Sequence, residues 1–94
     1  MPARRFTIRG TVQGVGFRSF AKTCADALGV SGWVCNQPDG SVAVHAEGTD
    51  EQLAELAFDL SRGPRFARVQ GVEPVDAAPE SNTGFSILRT GPPR

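Results

Sequence analysis

Ile8-Arg9-Gly10-Thr11-Val12-Gln13-Gly14-Val15-Gly16-Phe17-Arg18 changes its period half-way along, and that change decides the fold. Up to Gln13 the period is two. Phe6, Ile8 and Val12 are apolar on one parity, while Arg5, Thr7, Arg9, Thr11 and Gln13 occupy the other, the pattern of a half-buried strand. Gly14 and Gly16 then interrupt it. From Phe17 onward, Phe17, Phe20, Ala21, Cys24 and Leu28 recur at helical spacing. A strand thus enters a short glycine loop, and a helix leaves it with Arg18 close to its first turn.

Such a junction suits an anion. Gly14 and Gly16 accept positive φ and place no Cβ in the way of a ligand. Consecutive N–H groups from Gln13 through Phe17 can converge as a cradle, assisted by the unpaired donors and positive dipole end of the helix. Arg18 adds a planar, permanently charged fork that matches a phosphoryl group. A plain reading stands beside this one: a tight strand-to-helix turn with a surface arginine. The loop is not a Walker A loop, since no Gly-Lys-Ser/Thr follows. It is not a dinucleotide fingerprint either, since Ser19 stands where a third glycine belongs.

Working outward, the helix is expected from about Ser19 to Leu28, with Gly29 as its stop. Gly32-Trp33-Val34-Cys35-Asn36 reads as a second strand. Gln37-Pro38-Asp39-Gly40 is a turn, and Ser41 to Glu47 alternates as a third strand, with Val42, Val44 and Ala46 on one face. Thr49 and Gln52 form a capping box for a second helix. Leu53, Leu56, Ala57 and Leu60 give that helix its apolar stripe, and Gly63-Pro64 ends it. Arg68 to about Asp76 is a fourth strand, whose valines at 69, 72 and 75 are spaced by three; a bulge near Gly71 reconciles this with a sheet. Ala77 to Thr83 reads as loop, Gly84 to Arg89 as a short last strand, and Gly91-Pro92-Pro93-Arg94 as a frayed tail.

This order, βαββαβ plus a short strand, is an α+β ferredoxin-like sandwich. It implies an antiparallel or mixed sheet of four to five strands, with two helices on one face and the other face largely open to water. Residues 1–94 are read as one domain. Ten basic and ten acidic residues cancel, so charge gives no case for nucleic acid or a membrane surface. No apolar run approaches a membrane span, and Met1 to Arg5 leads straight into a strand rather than a leader. Two cysteines without an export signal suggest a reducing cytoplasm. A monomer is expected.

Asn36 is the second candidate. It ends the second strand on the parity of Val34, and that strand end and the glycine loop could lie side by side. Its carboxamide both donates and accepts, so it can hold a water in line with a bound phosphorus; a turn-forming asparagine before Gln37-Pro38 is the alternative. His45 lies mid-strand on the parity opposite Val44 and reads as a solvent-facing residue rather than a base. Cys24 and Cys35 fall on different sides of the sheet, which disfavours a disulfide. Trp33 is open between an exposed aromatic and a partly buried strand residue. No His/Cys/Asp cluster has metal-ligand spacing, so neither metal nor cofactor is expected.

Ile8-x-Gly10-x-Val12-Gln13-Gly14-Val15-x-Phe17-Arg18 resembles the acylphosphatase signature at every defined position. Gly32-Trp33-Val34-x-Asn36-x-x-x-Gly40-x-Val42, with Gly48 after it, is similar to that family's other signature. The match runs from Arg5 to about Arg89. Cys35 departs from it, since relatives more often carry a long polar side chain or Met there. The tail departs too: in some relatives a C-terminal carboxylate pairs with the catalytic arginine. The resemblance implies hydrolysis of R–CO–OPO₃²⁻ to a carboxylate and phosphate. Arg18 would bind the phosphate, Asn36 would orient the water, and the backbone of Gln13, Gly14, Val15, Gly16 and Phe17 would form the cradle.

Little machinery is needed for such a reaction. A carboxylate with a conjugate acid of pKa ~4 leaves without a proton donor, and phosphoryl transfer is chiefly positioning and charge stabilisation. With no general base at the site, the substrate's phosphoryl oxygens would take the water proton. Two other classes compete. An acylphosphatase-like module of a carbamoyltransferase, acting on carbamoyl phosphate, needs Cys-x-x-Cys pairs and a long continuation after Arg94. A ferredoxin-like nucleic-acid binder needs a basic face with aromatics, which the balanced charge disfavours.

Overall fold

The computed structural model describes residues 2–89. Its elements are β1 (Ala3–Thr11), α1 (Phe17–Leu28), β2 (Ser31–Asn36), β3 (Val42–Glu47), α2 (Asp50–Arg62), β4 (Arg68–Ala77) and β5 (Phe85–Ile87). Five strands form one sheet in the order β4-β1-β3-β2-β5, and both helices pack on one face, as the ferredoxin-like reading expects. The frayed tail of the sequence reading lies outside the described residues.

Strand directions decide where a site can form. β1 and β2 each pair antiparallel with β3, so they run the same way, and β5 pairs parallel with β2. The carboxyl ends of β1, β2 and β5 therefore share one end of the sheet. α1 follows β1 directly, so its amino end lies there too. The expected bulge is present: Arg9 faces Gly71 and Gly10 faces Val69, leaving Gln70 as the extra residue of β4.

Period explains the packing. Phe6, Ile8, Val34, Val42, Val44 and Ala46 turn to the helices and meet Phe17, Ala21, Leu53, Leu56 and Leu60 in one buried cluster. Each fully buried Leu of α2 contributes about 1.5–3 kcal/mol. Thr49 Oγ1 accepts from Gln52 N (3.1 Å) and Gln52 Oε1 accepts from Thr49 N (2.8 Å), the reciprocal cap read from sequence. Gln52 Nε2 also donates to Leu28 O at 2.8 Å, tying the end of α1 to the start of α2. α1 starts two residues earlier than expected, because Gly16, at φ 80°, serves as its N-cap.

Gly32 is held at φ +141°, and a Cβ there would collide with the carbonyl of His45 on β3. Gly32→Ala combines that overlap with a left-handed backbone. It is expected to cost about 3–5 kcal/mol, a large share of the stability of a domain this size, read as a drop in urea midpoint.

The far face of the sheet differs from expectation. It is not open along β2 and β3: Trp33, Cys35 and Ala43 form a second buried cluster with Leu88 packed on it, and His45, expected to face solvent, is fully buried. The cause is topological. β4 and β5 sit at opposite edges, so residues 78–84 must cross the sheet, and the helices already occupy the other face. The crossing is fastened by polar contacts. Glu80 Oε1 accepts from Trp33 Nε1 (2.9 Å), and Glu80 N donates to Glu47 Oε2 (2.6 Å). Arg5 pairs with Glu80 at 3.0 Å and lies over the Trp33 ring. His45 stacks on Trp33 with centroids 5.6 Å apart, and its Nε2 bonds Glu47 Oε2 at 2.9 Å.

Burial pushes the Glu47 carboxyl upward, but the Glu80 N–H, His45 and the Asn82 amide outweigh it and hold the group below the usual carboxylate range. A depressed carboxylate stabilises the fold above its unfolded pKa, and the contribution fades as pH falls through the folded value. Glu47→Gln is expected to cost about 1–3 kcal/mol at pH 7. Its gap to wild type should narrow below about pH 4, measured by denaturant unfolding across pH.

Candidate active site

β1 ends at Thr11, and Val12, the last apolar residue of its pattern, is the first residue beyond the sheet. Gly14 and Gly16 take φ of 74° and 80°. An added Cβ at either would meet nothing within 4 Å, so both present bare backbone to open space. α1 then begins without a side-chain cap and without an acidic residue in its first turn. Phe20 N is the first amide donated within the helix, to Gly16 O at 3.1 Å. The amides before it remain available at the positive end of the dipole.

The loop is tied across the site by Gln13. Its Nε2 donates to Gln37 O at 2.7 Å and to Ser41 O at 2.9 Å, both in the β2–β3 turn. Asp39 stiffens that turn by accepting from Ser41 N (3.0 Å) and Ser41 Oγ (2.6 Å), contacts that hold its carboxyl below the usual range. The Gln13 bridge fixes the distance between the end of β1 and the end of β2, where Asn36 sits.

The result is an open cleft of about 450 Å³, walled by Gly14, Gly16, Phe17, Arg18 and Asn36, with Val12, Ser19, Ile87 and Arg89 completing it. Arg18 and Asn36, singled out from separate stretches of sequence, share this cleft. Of the five cradle residues, Gly14, Gly16 and Phe17 line it. The side chains of Gln13 and Val15 turn away from it, Gln13 to the β2–β3 turn and Val15 to the main core. Among the described residues no acidic side chain lines the cleft, and the charged groups on it are Arg18 and Arg89. Arg18 is half-buried and its Nη1 lies 3.5 Å from Leu88 O. Asn36 Oδ1 is shielded from solvent and accepts no hydrogen bond from the described residues.

The family model for acylphosphatase matches residues 4–87. This chain belongs to the acylphosphatase family. A relative named acylphosphatase from Solibacter usitatus is 48% identical over 85 residues, covering 90% of this chain and 88% of its own. The crystal structure of acylphosphatase from Bacillus subtilis superposes with a TM-score of 0.91 at 35% identity, covering 94% of this chain and 99% of that one. The same fold occurs inside a longer protein: HypF from T. kodakarensis matches 97% of this chain with 12% of its own, at 28% identity and a TM-score of 0.85.

Other candidates from the sequence lie away from the acylphosphatase cleft. His45 is on the opposite face of the sheet beneath Trp33. Both cysteines are free; Cys24 packs on the main core and Cys35 on the second cluster, and burial pushes both thiols up, away from the reactive thiolate. Among the described residues no group of three His, Cys, Asp or Glu is arranged to hold a metal ion, and no helix is long and apolar enough to cross a membrane. Sequence reasoning missed the Gln13 bridge and the cleft residues Ser19, Ile87 and Arg89. The amide of Gln13 left no periodic trace, and a three-residue strand is too short to declare which way its neighbours point.

Proposed function

We propose that this chain hydrolyses acyl phosphates as a single-domain, monomeric, cytoplasmic enzyme, with Arg18 and Asn36 as its catalytic residues. The observation that carries the reading is the meeting of Arg18, Asn36 and the uncapped amino end of α1 in one cleft that, among the described residues, no acidic side chain lines. The phosphoryl oxygens bind to the amides of the Gly14–Phe17 turn and to the Arg18 guanidinium, which address the charge spread over the equatorial oxygens. The Asn36 carboxamide orients a water behind the phosphorus. Oxygen of that water bonds to phosphorus as the bond to the acyl oxygen breaks, and the carboxylate leaves with the electron pair. R–CO–OPO₃²⁻ and H₂O thus give R–COO⁻ and H₂PO₄⁻, with both water protons ending on phosphate. Among the described residues no titratable base lines the cleft to intercept them, and the chemistry places no demand on a metal.

The test is hydrolysis of benzoyl phosphate followed spectrophotometrically, with and without a chelator. Turnover insensitive to chelator is expected; a wild-type protein inert towards acyl phosphates overturns the reading. The likeness to a segment of HypF favours a second reading, a module that handles carbamoyl phosphate within a longer chain. Turnover of carbamoyl phosphate without turnover of benzoyl phosphate would select it.

A further inference from the structure

We propose that Arg89 determines specificity at the acyl end of the cleft, selecting acyl phosphates whose acyl chain ends in a carboxylate; this rests on the acyl-phosphate reading above. β5 runs parallel to β2 with Val34 opposite Ile87. β5 ends at Ile87, and Arg89 follows two residues later, at the same end of the sheet as Asn36. Both line the cleft.

The backbone that carries Arg89 is pinned. Leu88 N donates to Val34 O at 2.8 Å, and Lys22 Nζ donates to Phe85 O at 2.9 Å. Arg18 Nη1 reaches the carbonyl of Leu88, the residue immediately before Arg89, at 3.5 Å. Two guanidinium groups are thereby brought to adjoining walls of a cleft that, among the described residues, has no carboxylate lining it. Among the described residues neither makes an ion pair, whereas Arg4, Arg5 and Arg9 each do.

The roles divide by position. Arg18 belongs to the first turn of α1, next to the amides that would hold the phosphoryl group. Arg89 is exposed at the β5 wall beside Ile87. A phosphoryl group seated on the loop directs its acyl substituent outward, along the side chain of Ile87 towards the second guanidinium. A terminal carboxylate there meets a fork suited to two parallel hydrogen bonds.

The experiment compares succinyl phosphate with butyryl phosphate, which share a four-carbon acyl chain and differ in the terminal carboxylate. In wild type, kcat/KM for succinyl phosphate is expected to exceed that for butyryl phosphate. Arg89→Gln should lower that ratio about three- to tenfold, chiefly through KM, as fits a partly exposed ion pair whose binding energy is uniform. Arg68→Gln, at an exposed position outside the cleft, should leave the ratio in place and so exclude an effect of net charge. An unchanged ratio in Arg89→Gln, or an equal loss on both substrates, overturns the proposal. Wild-type inactivity on both substrates would instead overturn the acyl-phosphate reading itself.

Discussion

Arg18→Ala is expected to lower kcat/KM for benzoyl phosphate by roughly 10³-fold or more while leaving the fold in place. The magnitude follows from what the guanidinium does in a cleft of this composition. Arginine groups that stabilise a transferring phosphoryl group are worth about 10³ to 10⁵ in rate, and no other cation projects from the first turn of α1 to replace it. The amides of the glycine loop would still bind phosphate weakly, so some turnover above the uncatalysed rate should persist. Inorganic phosphate should also lose affinity as an inhibitor, since it presents the same oxygens.

Stability separates loss of chemistry from loss of structure. Arg18 is half-buried, and its one hydrogen bond within the described residues is the long contact to Leu88 O. Removing it is a surface substitution in energetic terms, worth about 0.5 kcal/mol. The thermal midpoint should therefore move by no more than about 4 °C. A variant that keeps this midpoint and also keeps benzoyl phosphate hydrolysis would remove Arg18 from the mechanism.

The reasons this site was visible in the sequence are physical, and so are the reasons part of it was hidden. Period two giving way to period 3.6 across Gln13–Phe17 marks a strand-to-helix junction whatever the rest of the chain does. The capping box of Thr49 and Gln52 is equally local. Asn36 was harder: on its own residues it reads better for a turn than for a ligand contact. Its place in the cleft depends on β1 and β2 running the same way, which requires β3 between them. The burial of His45 was not legible at all. It depends on residues 78–84 crossing the far face, and only the positions of β4 and β5 at opposite edges demand that crossing. Neither position has a local signature, since Phe85–Ile87 is too short to show a period. Arg89 was hidden for the same reason. Long-range strand order decides which face each of these side chains occupies, and alternation alone gives only relative parity.

Asn36→Ala tests the other half of the mechanism and should give a different kinetic signature. A residue that orients the attacking water acts on the nucleophile rather than on the phosphoryl group. Its removal is expected to lower kcat by about 10²- to 10³-fold with KM within about threefold of wild type. The pattern contrasts with Arg18→Ala, where affinity for phosphate falls too. Asn36→Asp sharpens the distinction. Aspartate keeps the size of the side chain and an acceptor, but it places a negative charge beside a bound dianion. If the neutral carboxamide matters because it aims water without repelling phosphate, Asn36→Asp should raise KM as well as lower kcat, and the KM effect should shrink as salt screens the repulsion. An alanine variant with equal losses in kcat and in phosphate affinity would instead reassign Asn36 to holding the substrate. Its Nδ2, rather than the shielded Oδ1 that is unpartnered among the described residues, would then serve the ligand by donating to a phosphoryl oxygen.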